Sequence, residues 1–174
     1  MTDTSSGSGT DGPAQAPPDL HDRLGHAIKR AEQALIGEKT RVLRTVDLTV
    51  PQYVALLVLQ QSTTGLSGAQ LARACMVTPQ TMTTVLANLE HKGLITRETS
   101  SVHRKVLVAT LTRSGRTLTR KADTLARAVE QRLADALDTT EQAQLRHLLE
   151  RSTAALRDTD PTPARAARHP EEPR

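Results

Sequence analysis

Residues 77–95, VTPQTMTTVLANLEHKGLI, set four threonines (Thr78, Thr81, Thr83, Thr84) beside Gln80 and Asn88 at helical spacing. Their chemistry is short-range hydrogen bonding and methyl contact; they include neither a nucleophile with its base nor a metal-ligand set. At about 100° per residue, Met82, Val85, Leu86 and Leu89 share roughly 100° of arc and form the buried side. The opposite side carries Gln80, Thr84, Ala87 and His91, flanked by Thr81, Thr83 and Asn88. Solvated faces favour Glu, Lys and Arg, which are also better helix formers than threonine. Amides, hydroxyls and methyls instead suit the major groove of duplex DNA. There Gln and Asn pair with adenine, while threonine reaches base edges, phosphates or the thymine methyl.

Composition narrows the alternatives. With one Tyr and no Phe or Trp, the chain has almost nothing on which to stack unpaired bases, which excludes the usual RNA and single-strand binders. A single Cys excludes an intrachain disulfide and a multi-Cys zinc site. The six His are scattered, and no Gly-rich phosphate loop, G-x-S-x-G or paired carboxylate appears. No enzyme activity and no cofactor are therefore expected. No secretory signal is visible, and the longest apolar run, residues 53–59, is too short to cross a bilayer. A cytoplasmic protein without membrane contact is expected. Net charge is +4, but residues 67–116 hold seven Lys/Arg against Glu90 and Glu98, a local +5. Positive charge thus gathers around the threonine-rich helix, as an anionic partner requires.

The elements that position this helix follow from caps and periodicity. Residues 1–18 and 158–174 read as disordered tails. Asp19 is placed as the cap of a long helix over 19–44, roughly 39 Å, with Leu20, Leu24, Ala27, Ile28, Ala31 and Leu35 at three- and four-residue spacing and Gly37 as an interruption. Thr49-Val50-Pro51-Gln52 and Ser67-Gly68-Ala69-Gln70 are capping boxes opening two further helices, with Leu48/Tyr53 and Leu66/Leu71 as staples. Cys75-Met76-Val77 turns into the helix capped by Thr78 and ended by Gly93, which makes a helix-turn-helix. Residues 94–98 and 105–111 predict a hairpin, and Thr112 caps a helix striped by Leu118, Ala122, Leu125, Val129, Leu133 and Leu137. Thr139-Thr140-Glu141-Gln142 reads as a third box, opening a helix with Leu145, Leu148, Leu149 and Leu156. The predicted order is four helices, two strands and two helices.

The run LSGAQLARACMVTPQTMTTVLANLEHKGLITRE, followed by HRKVLVATLTRSGR, resembles the winged helix-turn-helix of the MarR family of regulators. Leu111-Thr112-Arg113-Ser114-Gly115 keeps the family's Leu-Thr-x-x-Gly, whereas the family's Asp-Arg-Arg wing falls on His103, Arg104 and Lys105, losing the acid. The match covers 48–116, and the flanking helices extend it over nearly the whole folded region. The resemblance implies a mainly α fold with a small β-hairpin wing, a winged helix-turn-helix (48–111) flanked by long N- and C-terminal dimerisation helices (19–47 and 112–157). It implies a ligand-responsive regulator, most often a repressor, that binds pseudo-palindromic duplex DNA as a homodimer and answers to a small aromatic or anionic effector.

Residue roles follow from the helix face and the resemblance together. Gln80, Thr81, Thr84 and Asn88 are the candidate base-edge readers, and Thr78, Thr83, Gln70 and Arg97 the candidate phosphate holders. Arg104 is placed at the wing tip, assisted by His103 and Lys105. Leu20, Leu24, Ile28, Leu133, Leu145, Leu148 and Leu149 are assigned to the dimer interface, although such stripes also fit an intramolecular bundle. His26 and Tyr53 are candidates for the effector pocket, with a staple as the competing role for Tyr53. Two other readings stay open: a winged helix used for protein contact alone, and redox sensing at Cys75 with Arg73 lowering its pKa.

Overall fold

Side-chain caps set most element boundaries in the computed structural model, which describes residues 22–99 and 106–157. The elements are α1 (Leu24–Arg44), α2 (Val50–Gln60), β1 (Leu66–Ser67), α3 (Gly68–Ala74), α4 (Pro79–His91), β2 (Ile95–Thr99), β3 (Leu107–Leu111), α5 (Arg113–Asp135) and α6 (Thr139–Arg157). Two of the three predicted capping boxes are formed: Thr49 with Gln52, and Ser67 with Gln70, each exchange reciprocal bonds. Thr78 and Thr112 accept from the backbone N–H three residues on, as caps should.

Three sequence expectations need correction. The first helix starts at Leu24 behind Arg23, which offers no side-chain cap; Asp19 and Leu20 lie outside the described residues. The last helix is capped one residue earlier than expected. Asp138 Oδ1 accepts from Glu141 N–H at 2.8 Å and Glu141 Oε2 accepts from Asp138 N–H at 2.9 Å. An ionised Asp/Glu box answers the positive helix end better than a neutral Thr/Gln box. Gln142 is then free to donate to Ala134 O and Leu137 O, tying α6 to the end of α5. Finally, the hairpin has a third strand: the sheet order is β1-β3-β2, with Leu66 opposite Ala109 and Ile95 opposite Leu111.

The core gathers where these elements meet. All four residues assigned to the inner side of α4 (Met82, Val85, Leu86, Leu89) are buried, against Leu56 and Leu59 of α2 and Leu71 of α3 in one cluster. α5 turns Thr119, Ala122 and Ala126 inward, and it packs on both α1 and α2. Across α1 and α5, Glu38 meets Arg132 at 2.8 Å and Lys39 pairs with Glu130, while Arg41, one turn along α1, holds Glu38 at 3.0 Å. α6, by contrast, buries no side chain.

The start of α5 is fixed by an unusually close approach. A Cβ on Gly115 would stand 2.0 Å from Leu94 O, and that atom is backbone that cannot swing away. Gly115→Ala should therefore destabilise the fold by about 2–4 kcal/mol in a urea melt. Gly37→Ala, whose methyl meets nothing within 4 Å, should instead gain up to about 1 kcal/mol. A second expectation concerns acid. Hydrogen bonds from Arg41 and Arg132 hold the Glu38 carboxyl down from 4.5 to about 2. Its depressed pKa means the stabilisation is complete above pH 4.5 and fades as pH falls toward 2. Glu38→Gln should flatten that part of the acid limb of a stability profile, and added salt should shrink the difference because the group is exposed.

Candidate nucleic-acid interface

α4 is delivered to the surface by the turn that follows α3. Val77 N–H donates to Ala72 O at 3.0 Å and Met76 N–H to Arg73 O at 3.2 Å, a Schellman closure with Met76 at φ 55°. The same closure ends α4, where Gly93 takes φ 66° and Leu94 N–H donates to Leu89 O at 3.0 Å. Lys92 Nζ lies 2.9 Å from Asp47 Oδ2 and also bonds Asp47 O, which pins this end of α4 to the α1–α2 junction.

The outward face matches the sequence expectation in membership and departs from it in hydrogen bonding. Gln80, Thr81, Thr83, Thr84, Ala87, Asn88 and His91 are all exposed, and no charged side chain occurs on the helix before Glu90. The hydroxyls, however, are largely engaged. Thr78 Oγ1 and Thr81 Oγ1 are 2.8 Å apart, Thr83 donates to Pro79 O at 2.9 Å, and Thr84 Oγ1 lies 3.4 Å from Gln80 O. Gln70 is similarly committed, its Oε1 accepting from Ser67 N–H and Oγ, so its amide NH₂ is the part left for a phosphate. Arg97 on β2 is half-buried, with Glu90 at 3.7 Å. His103, Arg104 and Lys105 lie outside the described residues.

The residues assigned to dimer contact divide in the same way. Leu24, Ile28, Leu133, Leu145, Leu148 and Leu149 are between 42% and 82% exposed in the single chain. Leu20 falls outside the described residues. Neither effector-pocket candidate lines the open groove described below. Tyr53 is 4% exposed and its hydroxyl donates to Asp123 Oδ1 at 2.9 Å, with Arg127 on the other carboxylate oxygen at 2.8 Å. Burial, reinforced by Asp123, pushes the Tyr53 phenol well above its ordinary pKa, so it remains a donor. Tyr53 is thus a core residue bonded to α5, and an effector carboxylate would have to displace Asp123 to use it. His26 sits partly exposed on α1. An open groove of about 820 Å³ lies elsewhere, beside Leu94, Thr112, Arg113, Ser114, Thr117, Leu118 and Lys121.

Burial likewise raises the Cys75 thiol, opposite to the direction Arg73 would drive it, which leaves a small core hydrophobe. Among the described residues no group of three His, Cys, Asp or Glu could hold a metal ion. None of their helices is long and apolar enough to cross a membrane. Sequence reasoning missed Met76, which is 89% exposed at the entry to α4, and the Asp47–Lys92 and Tyr53–Asp123 pairs. The pairs join residues 45 and 70 positions apart, a separation no local spacing reports.

The MarR family model matches residues 46–105 of the chain. The chain is 39% identical over 128 residues to the HTH-type transcriptional repressor Rv2887 of Mycobacterium tuberculosis, covering 74% of this chain and 91% of the relative. The crystal structure of that MarR family protein in complex with DNA aligns at TM-score 0.59 and 36% identity, over 74% of this chain and 96% of the other. Its complex with salicylic acid aligns at TM-score 0.59 and 38% identity, over 76% and 98%.

Because the Tyr53 bond joins α2 to α5, its loss should register as stability. Tyr53→Phe removes one bond to a carboxylate that keeps Arg127 and solvent. A cost of about 1–2 kcal/mol is expected in denaturant unfolding, with helix content unchanged by circular dichroism.

Proposed function

The chain belongs to the MarR family, and on that premise we propose that it is a cytoplasmic, non-enzymatic transcriptional repressor, a homodimer on pseudo-palindromic duplex DNA that a small aromatic acid releases. The observation that carries the proposal is the exposed, uncharged, amide- and methyl-bearing face of α4, held rigid by caps at both ends and by the buried stripe beneath. A helix of this kind enters a major groove, and two copies read half-sites about 34 Å apart. Gln80, Thr81, Thr84 and Asn88 face base edges in this reading. Thr78, Thr83, Gln70 and Arg97 hold phosphates, and His103, Arg104 and Lys105 serve the wing.

The organisation follows: 48–111 is the DNA-binding unit, with dimer arms at 19–47 and 112–157 and tails at 1–18 and 158–174. The dimer is supported by α6, whose Leu145, Leu148 and Leu149 are exposed on a helix that buries nothing in its own chain. An apolar stripe of that size on a lone helix calls for a partner. The relative's complexes with DNA and with salicylic acid support the DNA-binding, effector-responsive reading. His26 and Tyr53 are retained as residues near which the effector is sought.

The test is a gel-shift titration on the gene's own upstream region, at graded salt, with and without a panel of aromatic acids. Retarded duplex whose affinity falls steeply with salt, and is relieved by at least one acid, is the expected result. Gln80→Ala should relax preference by about 1–3 kcal/mol at a single base position, with the rest of the site unaffected. No retardation at any salt, with intact dimer by light scattering, would reject the reading in favour of a protein-contact module.

A further inference from the structure

We propose that α4 selects thymine by its 5-methyl group, through a methyl patch formed by Thr83, Thr84 and Ala87. The inference rests on the DNA-binding reading above, adds which base feature is read and by what, and moves Thr83 from the phosphate contacts to the base contacts. Thr83 Oγ1 gives its hydrogen to Pro79 O at 2.9 Å, and Thr84 Oγ1 is turned toward Gln80 O at 3.4 Å. A hydroxyl has one hydrogen. With its hydrogen given to the helix backbone, Thr83 must break that bond to donate to guanine O6 or N7 or to thymine O4, and Thr84 leans the same way over a longer contact. What each presents outward is its γ-methyl, with a lone pair beside it.

Placement turns these methyls into a surface. Ala87 lies three residues from Thr84 and four from Thr83, so the three side chains are neighbours on one helix face. All three are exposed, and no charged side chain lies on the helix before Glu90. Gln80 stands one turn toward the N-terminus of Thr84, offering an amide at the edge of the patch. Among the groups that base pairs display in the major groove, the apolar one is the thymine methyl. A methyl patch bordered by an amide therefore fits a half-site in which thymines follow a base read by hydrogen bonds. Serine in place of threonine would keep the backbone bond and lose the methyl, and valine would do the reverse. The chemistry is thereby separable.

The experiment uses the full chain and a duplex recovered from a randomised pool by wild-type protein. Each thymidine of the recovered half-site is replaced singly by deoxyuridine, which removes only the methyl, and affinity is read by fluorescence anisotropy. At one or more positions per half-site, wild type should lose about fourfold for each methyl removed. The Thr83→Ser/Thr84→Ser double variant should lose most of the thymidine preference at those positions, keeping only what the Ala87 methyl contributes. The Thr83→Val/Thr84→Val double variant should keep the thymidine preference. Equal binding of both duplexes by wild type overturns the inference while leaving DNA binding intact, and needs no variant to fold. A preference undiminished in the serine pair, or absent in the valine pair, also overturns it. Recovery of no duplex from the pool overturns the DNA reading itself and this inference with it.

Discussion

The joint between Leu94 and the first turn of α5 is the constraint on which the arrangement depends. Thr112 N–H donates to Leu94 O at 3.1 Å, and its hydroxyl lies 2.9 Å from Gly93 O and 3.1 Å from Leu94 O. Ser114 adds a bond to Gly93 O at 3.0 Å, and Thr112 Oγ1 in turn accepts from Gly115 N–H. Three donors at the start of α5, the Thr112 N–H and the Thr112 and Ser114 hydroxyls, thus meet two carbonyls just beyond the C-terminal end of α4. The Leu-Thr-x-x-Gly run has a physical meaning here: Leu111 enters the core, Thr112 caps, and Gly115 leaves room for the Leu94 carbonyl. Because α4 carries the outward face, this joint fixes the angle between that face and α5.

Much of this was legible from local chemistry. Thr49/Gln52, Ser67/Gln70, Thr78 and Thr112 were readable as caps because a cap is made within four residues, and all four form. The buried side of α4 was readable because its apolar residues recur at helical period. The α6 start was misread by one residue because Asp138-x-x-Glu141 and Thr139-x-x-Gln142 both satisfy the pattern, and charge decides between them. β1 escaped because it is two residues long and its pairing partner lies more than forty residues away on β3. Local periodicity carries no information about such a pairing.

The interface shows the same limit at finer scale. Which residues face outward on α4 followed from the helix period, but the direction of each hydroxyl did not. Thr83 and Thr84 bond their own backbone four residues back, a habit of threonine in helices that weakens its use as a donor elsewhere. A helix rich in threonine, a poor helix former, is held by its ends and its underside. Its N-cap and Schellman closure satisfy the terminal groups, and four buried apolar side chains hold it in place. Propensity is a weak prior once tertiary packing acts. The outer residues are therefore free to be chosen for what they display.

Coupling of α4 to the helices around it is the last consequence of the packing. Tyr53–Asp123 ties α2 to α5, Glu38–Arg132 and Lys39–Glu130 tie α1 to α5, and Lys92 ties α4 to the α1–α2 junction. These bonds reach every helix that surrounds α4 except α3, which is joined to it by the Met76 turn. The α2–α5 contact is held by a buried phenol and a carboxylate, whereas the Glu38–Arg132 pair between α1 and α5 reaches solvent and is screened by salt. Loss of that exposed pair alone leaves α5 bonded to α2 through Tyr53 and anchored at Thr112 and Gly115.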